Sequence, residues 1–339
     1  MERQLVALLK RQGPILEAAF LEAIRELRRG VNFRALVAAL ERGDIEAAIT
    51  ALDIDVAAFT PFVQAQTAAH ASAASTVIGA VPAGPSGVSF RFNLANPRAE
   101  RWIAENVASE VVGLVEDQIQ VIRQTILAGY SRGEASQKLA VDIAGRLNPV
   151  TKVREGGLVG LSDPQTKFLD GYRARLASDD PADLRYILKH NTLRDRRFDR
   201  ALRAAIKNGT PLSEEMQDRM ARAYSDRLLK RRAADIARTE LGRSVEAARK
   251  EAFLQAAEKE GYPEDAISRE WVHGGGEGPM ARPDHAAMHG QVRKGTKDPF
   301  VMNDGSAKIH AMDGIGGAAQ DANCRCSTRW IIDWTWGLT

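Results

Sequence analysis

Apolar side chains recur three and four positions apart through most of this chain. Leu5, Leu8 and Leu9, then Ile15, Leu16, Phe20, Ile24 and Leu27 keep that spacing, which predicts amphipathic helices across residues 3–28. Pro14 restarts the pattern at a first-turn position, and Gly30 and Gly43 punctuate it, so a set of short helices is expected. Residues 62–80 are rich in Ala, Ser and Thr, carry no formal charge and predict a helix ending near Gly79. A Pro/Gly/Ser linker follows at 79–89, with a short strand expected at Val88–Phe92.

Asn96-Pro97 is a strong helix start, with Asn as cap and Pro at the first helical position. From there Ile103, Val107, Val111, Val115, Ile119, Ile122 and Ile126 form one apolar stripe ending near Gly129, with Glu105, Ser109, Gln120 and Gln124 on the other side. A helix of that length predicts a bundle spine or a surface for a partner. Further helices are expected at 133–147, 164–177, 181–190 and 195–208, separated by Asn148-Pro149, a Gly-rich stretch at 150–163 and Thr210-Pro211. A helical pattern then runs from Ser213, with a kink allowed, to Glu260, where Gly261-Tyr262-Pro263 stops it.

After Pro263 helical periodicity is lost and glycine becomes dense. Arg269–His273, Ser327–Asp333 and Ala307–His310 have the look of strands, and Arg282–His289 of one or two helical turns. The expected fold is mainly α: a multi-helix body with a long central helix and a small C-terminal α+β cap. The organisation expected is an N-terminal helical region at 1–80, a linker with a short strand at 81–96, a helical domain at 97–262 and the cap at 263–339.

Composition changes this picture little. Apolar and charged contents, 44% and 27%, are those of an ordinary globular protein. Two cysteines exclude a disulfide framework, and a bridge between Cys324 and Cys326 would be strained, so a reducing compartment is expected. The start lacks the pattern of a signal peptide, and no apolar run approaches a membrane span, so a soluble protein with no membrane partner is expected. Charge is uneven: residues 183–232 hold 14 basic and 7 acidic side chains, while residues 1–80 are nearly balanced at 8 and 9.

Four constellations carry candidate chemistry. His285 and His289, four apart on a predicted helix, with the Cys324/Cys326 pair, offer two nitrogens and two sulfurs, a set suited to tetrahedral zinc. The competing reading is buried free thiols and surface histidines. The basic run of Arg194, Arg196, Arg197, Arg200, Arg203, Lys207, Arg227, Lys230, Arg231 and Arg232 suits phosphate contact, against a solvated face paired with Asp195, Asp199 and Asp226. Its sparse aromatics (Tyr186, Phe198, Tyr224) signal no base stacking, so DNA binding would be non-specific. Arg238-Thr239-Glu240, deep in a helical pattern, is expected to tie the helix to the cap, with Thr239 bonding back to a helix carbonyl. Asp284-His285, Asn303 and His310 fit the order of an HNH nuclease only loosely. Gly274-Gly275-Gly276 lacks the context of a phosphate loop and is expected to be a flexible turn.

Three blocks occur in order: Gly160-Leu161-Ser162-Asp163-Pro164-Gln165 with Tyr172-Arg173; Tyr224-Ser225-Asp226-Arg227-Leu228-Leu229 and Arg232 leading into Ile236-Ala237-Arg238-Thr239-Glu240; and Trp271, His285, Gly290, Asn323-Cys324-Arg325-Cys326. In this the chain resembles the phage Mu F-like head morphogenesis proteins over about 130–334, best after 156. The resemblance implies a structural minor head protein of a tailed phage or prophage rather than an enzyme. It would lie inside the capsid near the portal vertex, reached from the host cytoplasm during assembly, and act in head assembly, DNA packaging or delivery. Its implied partners are the portal protein, the major capsid protein and packaged DNA. Two positions depart from the family pattern: His289 stands where an acidic residue often precedes the glycine, and His273-Gly274-Gly275-Gly276-Glu277 where an aspartate usually follows the tryptophan. The competing class is a metal-dependent nuclease or toxin-like effector carried with the head.

Overall fold

The computed structural model describes residues 3–87, 90–274 and 282–337. The chain forms α1 (Arg3–Gly30), α2 (Phe33–Glu41), α3 (Ile45–Ala51), α4 (Thr60–Val77), α5 (Pro97–Ser131) and α6 (Ser136–Ala144). A two-residue ladder pairs β1 (Arg146–Leu147) with β2 (Arg154–Glu155). Then come α7 (Asp163–Leu176), α8 (Pro181–His190), α9 (Asp199–Asn208) and the 46-residue α10 (Glu214–Lys259). The C-terminal part holds β3 (Ile267–Val272), α11 (Pro283–Ala287), β4 (Val292–Lys294), β5 (Phe300–Val301), β6 (Ala307–Lys308), α12 (Gly317–Asp321) and β7 (Ser327–Ile332). The fold is therefore mainly helical with small antiparallel sheets at its C-terminal end. Among the described residues no helix is long and apolar enough to cross a membrane.

Start signals act as their chemistry dictates. Asn96 Oδ1 accepts from the Arg98 amide at 2.9 Å and Pro97 follows at the first helical position. Asp180 caps α8 in the same way, through the Ala182 amide at 2.8 Å. The stripe expected on α5 is its packed face: Val107, Val111, Val115, Ile122 and Ile126 are buried, whereas Glu105, Ser109, Gln120 and Gln124 are exposed.

Several expectations are corrected. Pro14 does not restart a helix; α1 runs unbroken through it. Proline removes one ladder bond, but Leu8 and Leu16 on either side are both buried, and a continuous helix is what keeps both on the packed face. Residues 90–92 are not a strand, and Val88 and Ser89 lie outside the described residues. The helix expected over 133–147 ends at Ala144, because Gly145 adopts φ +83 and turns Arg146 and Leu147 into the ladder with β2. The predicted helix at 195–208 opens with one 3-10 turn at Arg196–Phe198. α10 shows no break.

The chain divides into two compact units. The first comprises 1–18, 62–109 and 234–339. Here small residues of α10 (Val245, Ala248, Ala252) pack with Leu8, Ala73, Ala74 and Val77. Phe253, Ala256 and Ala257, further along α10, meet Ile267, Trp330 and Ile332 of the sheet β4-β3-β7. In that sheet Arg269 pairs with Trp330 and Trp271 with Thr328. Alternation buries Ile267, Arg269 and Trp271 on one face of β3. Arg269 is a buried cation satisfied by carbonyls, donating to Gly295 at 2.6 Å, Asp298 at 2.5 Å and Ile309.

The second unit comprises 19–61 and 110–233. Its irregular centre, 156–160, is held by side chains that answer its backbone. Buried Arg28 donates to the Val159 carbonyl at 3.0 and 3.2 Å and pairs with Asp226 at 3.3 Å. Gln118 Oε1 accepts from the Gly160 amide at 2.6 Å, and Ser225 Oγ donates to the Gly157 carbonyl at 2.6 Å. A Cβ on Gly157, at φ +76, would fall 2.4 Å from the Gly145 backbone nitrogen, so only glycine fits there. Tyr172 and Tyr224 stack at 4.2 Å beside this centre.

Candidate metal centre and basic cleft

The first unit gathers His285, Cys324 and Cys326. Pro283 starts α11 at a first-turn position and aims His285 inward, where its ring meets Trp271 edge-on at 5.4 Å. Asn323, at φ +56, turns the chain after α12, and its amide donates to Thr239 Oγ1 at 3.0 Å. That turn sends both thiols to one side. His285 Nδ1 lies 3.4 Å from Cys324 Sγ and 3.6 Å from Cys326 Sγ, and the three donor atoms all lie within 4.8 Å of one another. All three residues are buried in an apolar shell that includes Trp271, Met288, Phe300, Met302 and Met312.

The surroundings orient this cluster and shift its proton affinities. His285 Nε2 sits 2.5 Å from Gln320 Oε1, and Gln320 donates in turn to Asp304 at 2.5 Å and Asp284 at 3.3 Å. With Nε2–H given to the amide oxygen, Nδ1 is the free donor facing the sulfurs. Burial lowers the His285 pKa, but bonds to Cys324 and Gln320 and the charges of Cys324 and Asp284 outweigh it, leaving a net rise. The two thiols differ. The bond from Cys324, outweighing burial, holds Cys326 low, helped by the Gly274 amide and the Trp271 indole. Cys324 is pushed up by that same bond and by burial. The Trp271 Nε1–H, which has no well-formed acceptor of its own, faces Cys326 and contributes to holding it low. Both cysteines are free. Two sulfurs and one imidazole nitrogen, with the histidine oriented by an amide, form a donor set that can hold a soft or borderline metal ion.

His289 is not brought to the cluster. α11 ends at Ala287, so His289 is not one turn on from His285 along a helix; it is exposed, and its Nδ1 accepts from the His273 amide at 3.3 Å. Gly274 passes so close to Arg325 that a Cβ would lie 2.0 Å from the Arg325 carbonyl oxygen. Gly275, Gly276 and Glu277 lie outside the described residues. The loose nuclease order is not assembled: His310 Nδ1 donates to the Ala311 carbonyl at 2.8 Å, and Asn303 is exposed.

Thr239 does bond back to a helix carbonyl, that of Asp235, at 2.8 Å. Arg238 does not join the tie to the cap; it is exposed. Glu240 instead pairs with Arg243 at 2.9 Å and accepts from Gln66 at 3.0 Å. Arg243 continues to Asp321 at 3.4 Å. Asp321 and Asp313 hold the fully buried ammonium of Lys308, each at 2.9 Å. Gln320 and Lys308 were not legible as site residues, since an amide and a lone lysine carry no ligand spacing; their adjacency to the cluster comes only from α12, which carries Gln320 and Asp321 side by side.

The ten basic residues divide. Arg194 is locked to Asp199 by two bonds of 2.9 Å. Arg232 is half-buried, donating to the Gly160 carbonyl at 2.9 Å, and desolvation lowers its pKa. Arg197 and Arg227 share Asp195, at 2.6 and 3.2 Å, and Arg203 reaches Asp199 at 3.9 Å. Arg196, Arg200, Lys207, Lys230 and Arg231 are exposed. Arg219 and Arg222, not singled out in the sequence, join Arg197, Arg227 and Lys230 around one open cavity of about 520 Å³ in the second unit.

A helical protein whose C-terminal lobe is knotted around a buried His/Cys/Cys cluster is the class these observations define. Residues 196–329 match the model of the family described as phage Mu protein F like protein, so this part of the chain is a phage Mu F-like domain. The match takes in the whole cluster, the Thr239–Glu240 tie and the basic residues from Arg196 onward, while the Gly160–Gln165 and Tyr172-Arg173 blocks precede it. No curated protein and no solved structure matches the chain.

Proposed function

We propose that this chain is a minor head protein of a tailed phage or prophage. It works by binding inside the capsid near the portal vertex, with the portal protein or the major capsid protein as partner, and not by turnover. The phage Mu F-like domain at 196–329 carries this reading. The test is mass spectrometry of nuclease-treated, gradient-purified particles. Co-sedimentation with DNA-filled heads is expected, and absence from both filled heads and empty precursors would defeat the reading.

Within that function the cluster of His285, Cys324 and Cys326 supplies three protein ligands to a zinc ion. The burial of all three donors and the amide-oriented histidine support this over two idle thiols. Metal analysis of untagged protein should find close to one zinc per chain. Cobalt substitution should give a thiolate charge-transfer band that is weakened in Cys326→Ser and lost when Cys324 is replaced by Ser as well. Metal-free protein as purified, with no uptake on refolding with zinc, would overturn the assignment.

A further inference from the structure

The open cavity of the second unit differs from an ordinary mixed-charge surface in how its charges are spent. Its floor is one face of α10, where Arg219, Arg222, Asp226, Arg227 and Lys230 fall at helical spacing; Glu155 and the turn Asp195–Phe198 form its sides. Two of its three acids are ion-paired. Asp195 is shared by Arg197 and Arg227. Asp226 takes the buried Arg28 and the Gly156 amide at 3.0 Å. Glu155 accepts from Asn148 at 2.6 Å. Among the described residues Arg219, Arg222 and Lys230 make no ion pair; Arg219 instead lies over the Phe198 ring at 5.8 Å. The cleft thus holds three cations that make no ion pair, against the single exposed carboxylate of Glu155.

One of these cations is held in place. The stem of Arg222 lies against Gly156, where an added Cβ would fall 2.7 Å from Arg222 Cγ. Packing fixes the stem and leaves the guanidinium to the cleft. From Arg219 to Lys230 the helix rises roughly 17 Å, the axial span of about five nucleotides of a strand. A guanidinium fork matches the spacing of phosphate oxygens and can bind them in pairs.

We propose that this cleft binds the phosphodiester backbone of nucleic acid, without regard to sequence, through Arg219, Arg222 and Lys230. The inference goes beyond the head-protein reading and does not depend on it, because it is tested on the purified chain alone.

The experiment is fluorescence anisotropy with a random-sequence DNA duplex of about 20 base pairs, titrated from about 50 to about 200 mM NaCl. Wild type is compared with R219Q/R222Q/K230Q and with K10Q/R11Q/R101Q, which removes equal charge from exposed positions in the first unit. The cleft variant should bind at least about tenfold more weakly at the lowest salt, and its log–log salt slope should be shallower by about 2.7, near 0.9 for each phosphate that the variant no longer neutralises. The control variant should keep the wild-type slope. Equal weakening in both variants, or no wild-type binding to duplex DNA or to single-stranded RNA of the same length, would overturn the proposal. So would tight binding of polyglutamate with none of nucleic acid. Binding of RNA as well as DNA upholds the shared phosphate chemistry. Both variants alter exposed or half-exposed side chains, and unchanged thermal unfolding would show that they fold.

Discussion

Lys308 is fully buried between Asp313 and Asp321, and its removal leaves two buried carboxylates with only Arg243, 3.4 Å from Asp321, as a neighbouring cation. Lys308→Met should cost about 3–5 kcal/mol, read from denaturant midpoints, while Lys308→Arg, which keeps the charge, should cost less. Gly157→Ala should cost about 2 kcal/mol or more, since φ +76 and the 2.4 Å approach to Gly145 act together; a change under about half a kcal/mol would mean that the backbone at 145 and 157 relaxes freely. At the scale of residues the sequence was informative for donor types and less so for their grouping. His285, Cys324 and Cys326 stand out as ligand chemistry, but His289 looks equivalent to His285 until the end of α11 at Ala287 removes it. The bonds that orient His285 come from Gln320, which no spacing rule picks out.

At the scale of elements, boundaries were legible wherever a capping side chain or a proline in the first turn set them. α8 occupies Pro181–His190 as expected, with Asp180 as its cap, and α5 begins at Pro97 behind Asn96. Asn96→Ala should lower stability by about 1 kcal/mol without changing the unfolding slope, because one helix-end amide loses its acceptor. The misjudged elements have a common physical reason. Pro14 interrupts a ladder locally, whereas the burial of Leu8 and Leu16 acts over the whole helix and prevails. The β1–β2 ladder has two residues on each side, too short for any alternation to register, and is set by the backbone reversal at Gly145. In the C-terminal sheet β7 and most of β3 were visible, because Arg269 with Trp271 and Trp330 with Ile332 recur at period two, whereas the three-residue β4 was too short to register.

For the whole molecule, two buried histidines predict how stability responds to acid. His70 stacks on Trp102 at 4.7 Å, and among the described residues neither ring nitrogen has a hydrogen-bond partner. Burial lowers its pKa to about 4. His310 is likewise lowered to about 4, by burial against the opposing pull of Asp313. Both values lie below the ordinary 6.5, so between pH 6.5 and about 4 the unfolded chain takes up protons that the folded chain refuses. Stability should be flat in this respect above pH 6.5, fall as pH drops through that window, and level off below about 4. Urea unfolding from pH 7.5 to 4 would measure it, and His70→Phe should flatten part of the decline. A pH-independent midpoint across the window would contradict the assignment.

The pairing of Cys324 and Cys326 inside one buried cluster has a practical corollary for chemical labelling. These are the chain's two cysteines, and both are buried. Native protein should therefore resist maleimide, and a reporter thiol placed at the wall of the cleft as Ala223→Cys should react alone, giving a single dye at a known site with all three proposed phosphate-binding cations intact. Quenching or polarisation of that dye would follow occupancy of the cleft directly, in solution or in assembled particles, without removing either native sulfur.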